Sequence, residues 1–185
     1  MGRGPHRTRT MAIAGLILAL GVVFPGAAGG PGMVSIPTVH GSTFAGESVA
    51  LPEALRGKVG LLIVGFSQTS RTEASDWGHR LADDPQRPAG LAYYELPVLE
   101  SVPRLLRGLV LKKIKESVSQ NGQAHFLPVL DHEAEWKQAA GFSKADDAYV
   151  LVVDGNGAVR WRMEGPPTDA AYAEVKRQAA LVNAR

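Results

Sequence analysis

Apolar residues run almost without interruption from position 59 to 66, and a run without alternation predicts a strand buried on both faces. Upstream, residues 34–51 hold short apolar stretches broken by Pro37, Gly41 and Gly46, which predicts a hairpin or an extended arm. Residues 52–58 read as one helical turn stopped by Gly57. Beyond the first core strand, Ser70 has the position of a helix N-cap, with Glu73 as its capping-box partner. Ala74, Trp77 and Leu81 then form a core-facing stripe, and Pro85 and Pro88 end that helix. A second strand is predicted over 91–96, closed by Pro97. A second helix follows over 103–119, with Leu106, Val110, Ile114 and Val118 recurring on one face as a stripe for the core and Asn121-Gly122 as its stop. A third strand is predicted over 124–130. Asp131 is placed as N-cap and Gly141 as C′ of a helix reaching Ala140. Residues 149–153 are the cleanest β-run. The Asp154-Gly155-Asn156-Gly157 turn then sends the chain back through Val159, Trp161 and Met163, with Trp161 toward the core. Pro166, Pro167 and Thr168 open a last helix whose stripe is Ala171, Tyr172, Val175, Ala179 and Val182.

The order is hairpin, then alternating strands and helices, then a β-hairpin and a closing helix. Strand–helix alternation implies parallel pairing, and the tight turn at 154–157 demands an antiparallel pair at the edge. The expected closure is a mixed sheet with helices on both faces.

The first residues change the picture of charge. Arg3, Arg7 and Arg9 precede an apolar run from Met11 to Phe24 and a small-residue stretch. That order predicts a secretory signal peptide over 1–28, cleaved near Ala28, and an exported protein, periplasmic or secreted. An uncleaved membrane anchor is the alternative. The rest, 29–185, is long enough for a single domain. Net charge is +2, but the leader holds three basic and no acidic residues, so the remainder carries −1. A pI near 9.0 therefore gives no case for nucleic-acid binding. The chain contains no cysteine. It forms no disulfide, thiolate nucleophile, Cys–zinc site or iron–sulfur cluster from its own residues.

The element order over residues 34–181 resembles the thioredoxin superfamily in its extended peroxiredoxin and exported-oxidoreductase form. The segment 149–157 is similar to the strand, Asp and glycine turn that follow the cis-proline there. The loop Ser67-Gln68-Thr69-Ser70-Arg71-Thr72-Glu73 is similar to the peroxiredoxin motif T-x-x-C-P-T-E, and read as a C-x-x-C loop it puts Ser67 and Ser70 at the cysteine positions. The cis-proline position is Ala148. The resemblance implies a thioredoxin-like three-layer α/β/α sandwich with a mixed central sheet and an N-terminal hairpin extension. The serines and Ala148 imply a scaffold without the family's thiol chemistry. Leu55-Arg56-Gly57-Lys58, Gly65-Phe66-Ser67 and the stretch from Asp154 to Arg162 also resemble the mitochondrial ATP-synthase Fo assembly-factor family, which implies help in assembling a membrane complex.

The candidate binding site is the degenerate loop, Ser67, Thr69, Ser70 and Thr72, with Ala148. Its hydroxyls at a helix start suit an anion or a peptide carbonyl, or simple capping. Arg160 and Arg162 alternate with Trp161 and face an acidic partner or lipid phosphate, or protect a sheet edge. The basic helix from Arg104 to Lys115 reads as a solvated face or a membrane-surface contact. No catalytic residue is assigned. Ser67 sits in no G-x-S-x-G elbow, and His79 falls about two and a half turns beyond Ser70. His40, His125 and His132 lack metal spacing, so no metal or cofactor is expected. The function expected is a redox-inactive binding or assembly factor for another protein, with a membrane complex among the candidate partners. The alternatives are a hydroxyl- or histidine-based enzyme and a non-catalytic partner of a redox enzyme.

Overall fold

The computed structural model describes Met1, residues 34–88 and residues 90–184. The predicted leader, Met1 aside, lies outside the described residues. The fold occupies the compact unit Gly32–Arg185.

The arm is a hairpin, β1 (Val39–Ser42) against β2 (Ser48–Leu51), followed by a 3-10 turn at Glu53–Leu55 that Gly57 ends at φ +70°. The apolar run becomes β3 (Val59–Gly65), buried at every residue. Then come α1 (Ser70–Asp83), β4 (Leu91–Pro97), α2 (Arg104–Ser117), the short α3 (Gln120–Gln123) and α4 (Glu133–Ala140). The hairpin β5 (Tyr149–Val153) and β6 (Val159–Glu164) and the last helix α5 (Asp169–Asn183) complete the chain. The main sheet has order β4-β3-β5-β6, with β3 parallel to β4 and the other two pairs antiparallel.

Alternate residues of β3 and β5 feed two cores. Leu61, Ile63, Val150 and Val152 meet Trp77 and Leu81 of α1 and Tyr172 and Val175 of α5. Leu62, Val64, Leu151 and Val153 meet the arm and Trp136 of α4. Helices on both faces of a mixed sheet give the expected three-layer α/β/α sandwich. A register shift between Val152 and Val153 turns β6, so Val159 packs with the arm-side core and a half-buried Trp161 with the other.

Three local expectations are corrected. The third strand, 124–130, is two isolated parallel bridges, Phe126 to Glu95 and Val129 to Val98. Pro97 and Pro128 lack the N–H groups that a continuous ladder needs. The N-cap of α4 is His132, at φ 59°, rather than Asp131, and the Glu133 N–H donates to Glu100 Oε2 at 2.6 Å. The cap is thus supplied by a residue remote in sequence. The α2 stripe does not enter the core as a stripe: Ile114 is buried, Val110 and Val118 are half-buried, and Leu106 is 50% exposed.

Candidate functional site

The serine loop lies between the end of β3 and the start of α1. Ser70 is fully buried and turned inward. Its Oγ accepts from the N–H groups of Phe66 and Ser67 and donates to the carbonyl of Ser67, each at 3.1 Å. Ser70 is therefore not the N-cap. The Ser67 Oγ accepts from the N–H groups of Thr69 and Ser70, both at 3.1 Å, and so does the work assigned to Ser70. The close approach of Ser70 Oγ to Gly65 explains the glycine: a Cβ there would lie 3.1 Å from it. Thr69 and Thr72 are exposed.

Glu73 is not a capping-box partner either. Its Oε2 accepts from the N–H of Ala148 at 3.0 Å, and the Ala148 carbonyl accepts from Gly165 N–H at 2.9 Å. Ser67 Oγ in turn donates to Asp146 Oδ1 at 3.4 Å. The structure thus brings the serine loop and the Ala148 segment together, although they are about 80 positions apart in sequence. Replacing Ser70 by alanine leaves two inward backbone N–H groups without an acceptor, which costs about 2–3 kcal/mol. Urea unfolding of Ser70→Ala checks this, and a loss under about 0.5 kcal/mol would show the hydroxyl to be dispensable. In Ser70→Cys the thiol is expected to stay unreactive toward a thiol reagent in folded protein, because the position has no solvent access.

Beside this loop lies a cavity of about 390 Å³ between α1, the end of β4 and α2. Phe66, Leu96, Val98, Val110, Ile114 and Phe126 are among the apolar residues of its wall. Its charged lining is Arg71, Glu95 and Lys113. Glu95, on β4, is only 7% exposed, and burial pushes its carboxyl up to about 8. No hydrogen-bond or ion-pair partner reaches that carboxyl among the described residues. It packs against Gly78 of α1, where a Cβ would overlap it. An acid inside the strand-forming run 91–96 was the available signal for this site, and periodicity alone passed over it.

The remaining candidates lie elsewhere. Arg160, on the opposite edge strand, grips Asp154 Oδ2 through Nε at 2.8 Å and Nη2 at 2.5 Å. Although burial opposes ionisation, the Asn156 N–H and Arg160 hold the Asp154 carboxyl below its ordinary value. Arg162 Nη1 donates to the Ala139 carbonyl at 3.2 Å, at the C-terminus of α4. Gly141, at φ 67°, leaves room for that guanidinium. His79 is exposed, and His125 stacks on Tyr93 with its Nδ1 3.2 Å from the Tyr93 carbonyl oxygen. Among the described residues no three His, Asp or Glu side chains converge as a metal site, and no helix is long and apolar enough to cross a membrane.

No protein-family model and no curated protein matches the chain. Solved structures do. The thioredoxin domain of a thiol-disulfide oxidoreductase from Bacteroides vulgatus is 18% identical, with TM-score 0.56 over 80% of this chain and 96% of that one. The exposed lipoprotein thioredoxin Etrx1 of Streptococcus pneumoniae is 10% identical, with TM-score 0.53 over 77% and 99%. BsSco, from the Sco family of cytochrome c oxidase assembly proteins, is 14% identical, with TM-score 0.52 over 80% and 95%. The resemblance to the ATP-synthase Fo assembly-factor family finds no support in these matches. At such identities the likeness is one of architecture: the chain has the thioredoxin-like fold and contains no cysteine.

Proposed function

We propose that this is an exported, non-enzymatic binding protein that docks an acidic segment of another protein along α2, in the manner of an assembly factor. The observation that carries the proposal is the outer face of α2. Leu105 is 97% exposed and Leu109 55%, beside Leu106. The helix has five basic residues, Arg104, Arg107, Lys112, Lys113 and Lys115, against one acid, Glu116. Clustered exposed leucines signal an interface, and the charge selects an acidic partner. Because α2 also walls the cavity that Ser67 lines, the docking helix borders the serine loop at Ser67, and Thr69 and Thr72 are exposed further along that loop. Arg160 and Arg162 lie on the far edge strand and are proposed only as secondary contacts. Two further features support the reading. Cysteine is absent, and BsSco shows the fold in a family of assembly proteins. The basic and apolar leader pattern over 1–28 supports export.

The test is crosslinking in cells, followed by reconstitution with the captured protein. Glutamate at Leu105 and Leu109 together is expected to reduce binding at least tenfold while leaving folded stability within about 0.5 kcal/mol, since both side chains are exposed. Capture unaffected by that double variant, or binding to anionic vesicles with no protein captured, would overturn the proposal.

A further inference from the structure

Glu95 poses a physical problem that the docking reading does not solve. A carboxyl that is more than nine-tenths buried and has no partner among the described residues is costly to keep. It stands where two cavities meet, the apolar one beside the serine loop and a second of about 310 Å³ between α1 and α3. Arg71 and Lys113 line the first cavity, and neither is paired with a carboxylate among the described residues. Two unpaired cations, an unpaired acid and an apolar wall describe a receptor more closely than a packing defect.

We infer that the cavity beside the serine loop binds a small organic monocarboxylate with an apolar body, its anionic head drawn by Arg71 and Lys113 and its tail held against Leu96, Ile114 and Phe126. The electrostatics select the sign of the ligand. With Glu95 protonated at neutral pH, the charged lining is two cations, so an organic anion is the complementary guest and an amine is not. Protonated Glu95 adds an O–H donor and no competing charge. The size follows from the volume. About 390 Å³ accommodates roughly 13 groups of the size of water, at ~30 Å³ each, which fits a carboxylate of about ten carbons. Lys113 is common to this inference and to docking on α2, but Arg71, Glu95 and the cavity wall are not, so either can fail alone.

The pH dependence has a definite sign. Above about 8 Glu95 ionises and places a negative charge in the cavity, so carboxylate affinity falls as pH rises through that value. Other titratable or charged groups bordering the two cavities are His79 and Asp83 on α1, Arg87 after it, and Tyr93 on β4. His125 also borders the second cavity, and burial pushes it down, so it is neutral throughout the alkaline range. Burial pushes Tyr93 up, which keeps it neutral there as well.

The experiment is calorimetric titration of the full chain with decanoate, decanol and decylamine at pH 7 and pH 9.5. Decanoate is expected to bind at pH 7 and to weaken at least tenfold at pH 9.5. Glu95→Gln, which is neutral at both pH values, is expected to hold its affinity within about threefold across the same range and so to separate Glu95 from the other titrating groups. Arg71→Met and Lys113→Met are each expected to weaken decanoate at least fivefold at pH 7, with circular dichroism confirming the fold. Absence of decanoate binding, equal affinity for decanol, tighter binding of decylamine, or a pH dependence unchanged in Glu95→Gln would each overturn the inference.

Discussion

Glutamine in place of Glu95 is expected to make the protein more stable than wild type at pH 9 and to remove most of the wild type's loss of stability between pH 5 and pH 9. The reasoning is linkage. Burial holds the folded carboxyl at about 8, against an ordinary value of 4.5 in the unfolded chain. Below 4.5 the group is protonated in both states and contributes no pH dependence. Between 4.5 and 8 the unfolded chain ionises and the folded protein does not, so the unfolded state gains about 1.4 kcal/mol with each pH unit. Above 8 both ionise, and the full penalty of a charge confined against Gly78 remains, roughly 5 kcal/mol. The carboxyls held below their ordinary values, such as Asp154 and Glu133, act on the acid limb, where falling pH removes their contribution. They are common to wild type and variant. Urea unfolding of both proteins at pH 5, 7 and 9 measures the difference, and parallel profiles would show that Glu95 ionises freely in the folded state.

The same residue shows where sequence reading stops. The β3 and β5 runs, the turn at 154–157 and the stripes of α1 and α5 were legible because each is a local pattern with one good structural solution. Thr168 was legible for the same reason: its Oγ1 accepts from Ala171 N–H at 3.2 Å, as an N-cap should. What failed depended on how a loop folds back on itself or on partners remote in sequence. Ser70 and Glu73 have the spacing of a capping box. In the fold Ser70 braces the loop from beneath and Glu73 reaches Ala148, because β5 brings that residue alongside α1. The stripe on α2 has the right period for a core face, yet periodicity says only that a helix has an apolar side. It does not say whether the sheet or another molecule covers it. The serine loop itself was found by its place between β3 and α1, whereas the cavity behind it depends on α2 lying across the end of β4. No local pattern encodes that placement.

Two tryptophans make the largest test of packing, because they share complete burial and differ in one hydrogen bond. Trp77 of α1 donates from Nε1 to the Gly165 carbonyl at 2.9 Å and packs near Tyr172, with ring centroids 6.2 Å apart. Trp136 of α4 fills the opposite core, and its Nε1 has no acceptor among the described residues. Truncation to alanine is expected to cost about 3–5 kcal/mol at either site, since each removes a large buried ring and leaves a cavity. Replacement by phenylalanine separates them. At Trp77 it removes ring volume and also strips a buried carbonyl of its donor, for a loss of about 2–4 kcal/mol. At Trp136 the lost volume is offset by removing a buried donor that had no acceptor, and the net cost is expected to be about 1 kcal/mol or less. Chemical unfolding of the two phenylalanine variants under one condition gives the comparison directly. Equal losses would mean that the Trp136 N–H is satisfied by an acceptor such as a buried water, whereas a gap near 2 kcal/mol assigns the difference to the bond that ties α1 to the carbonyl just beyond β6.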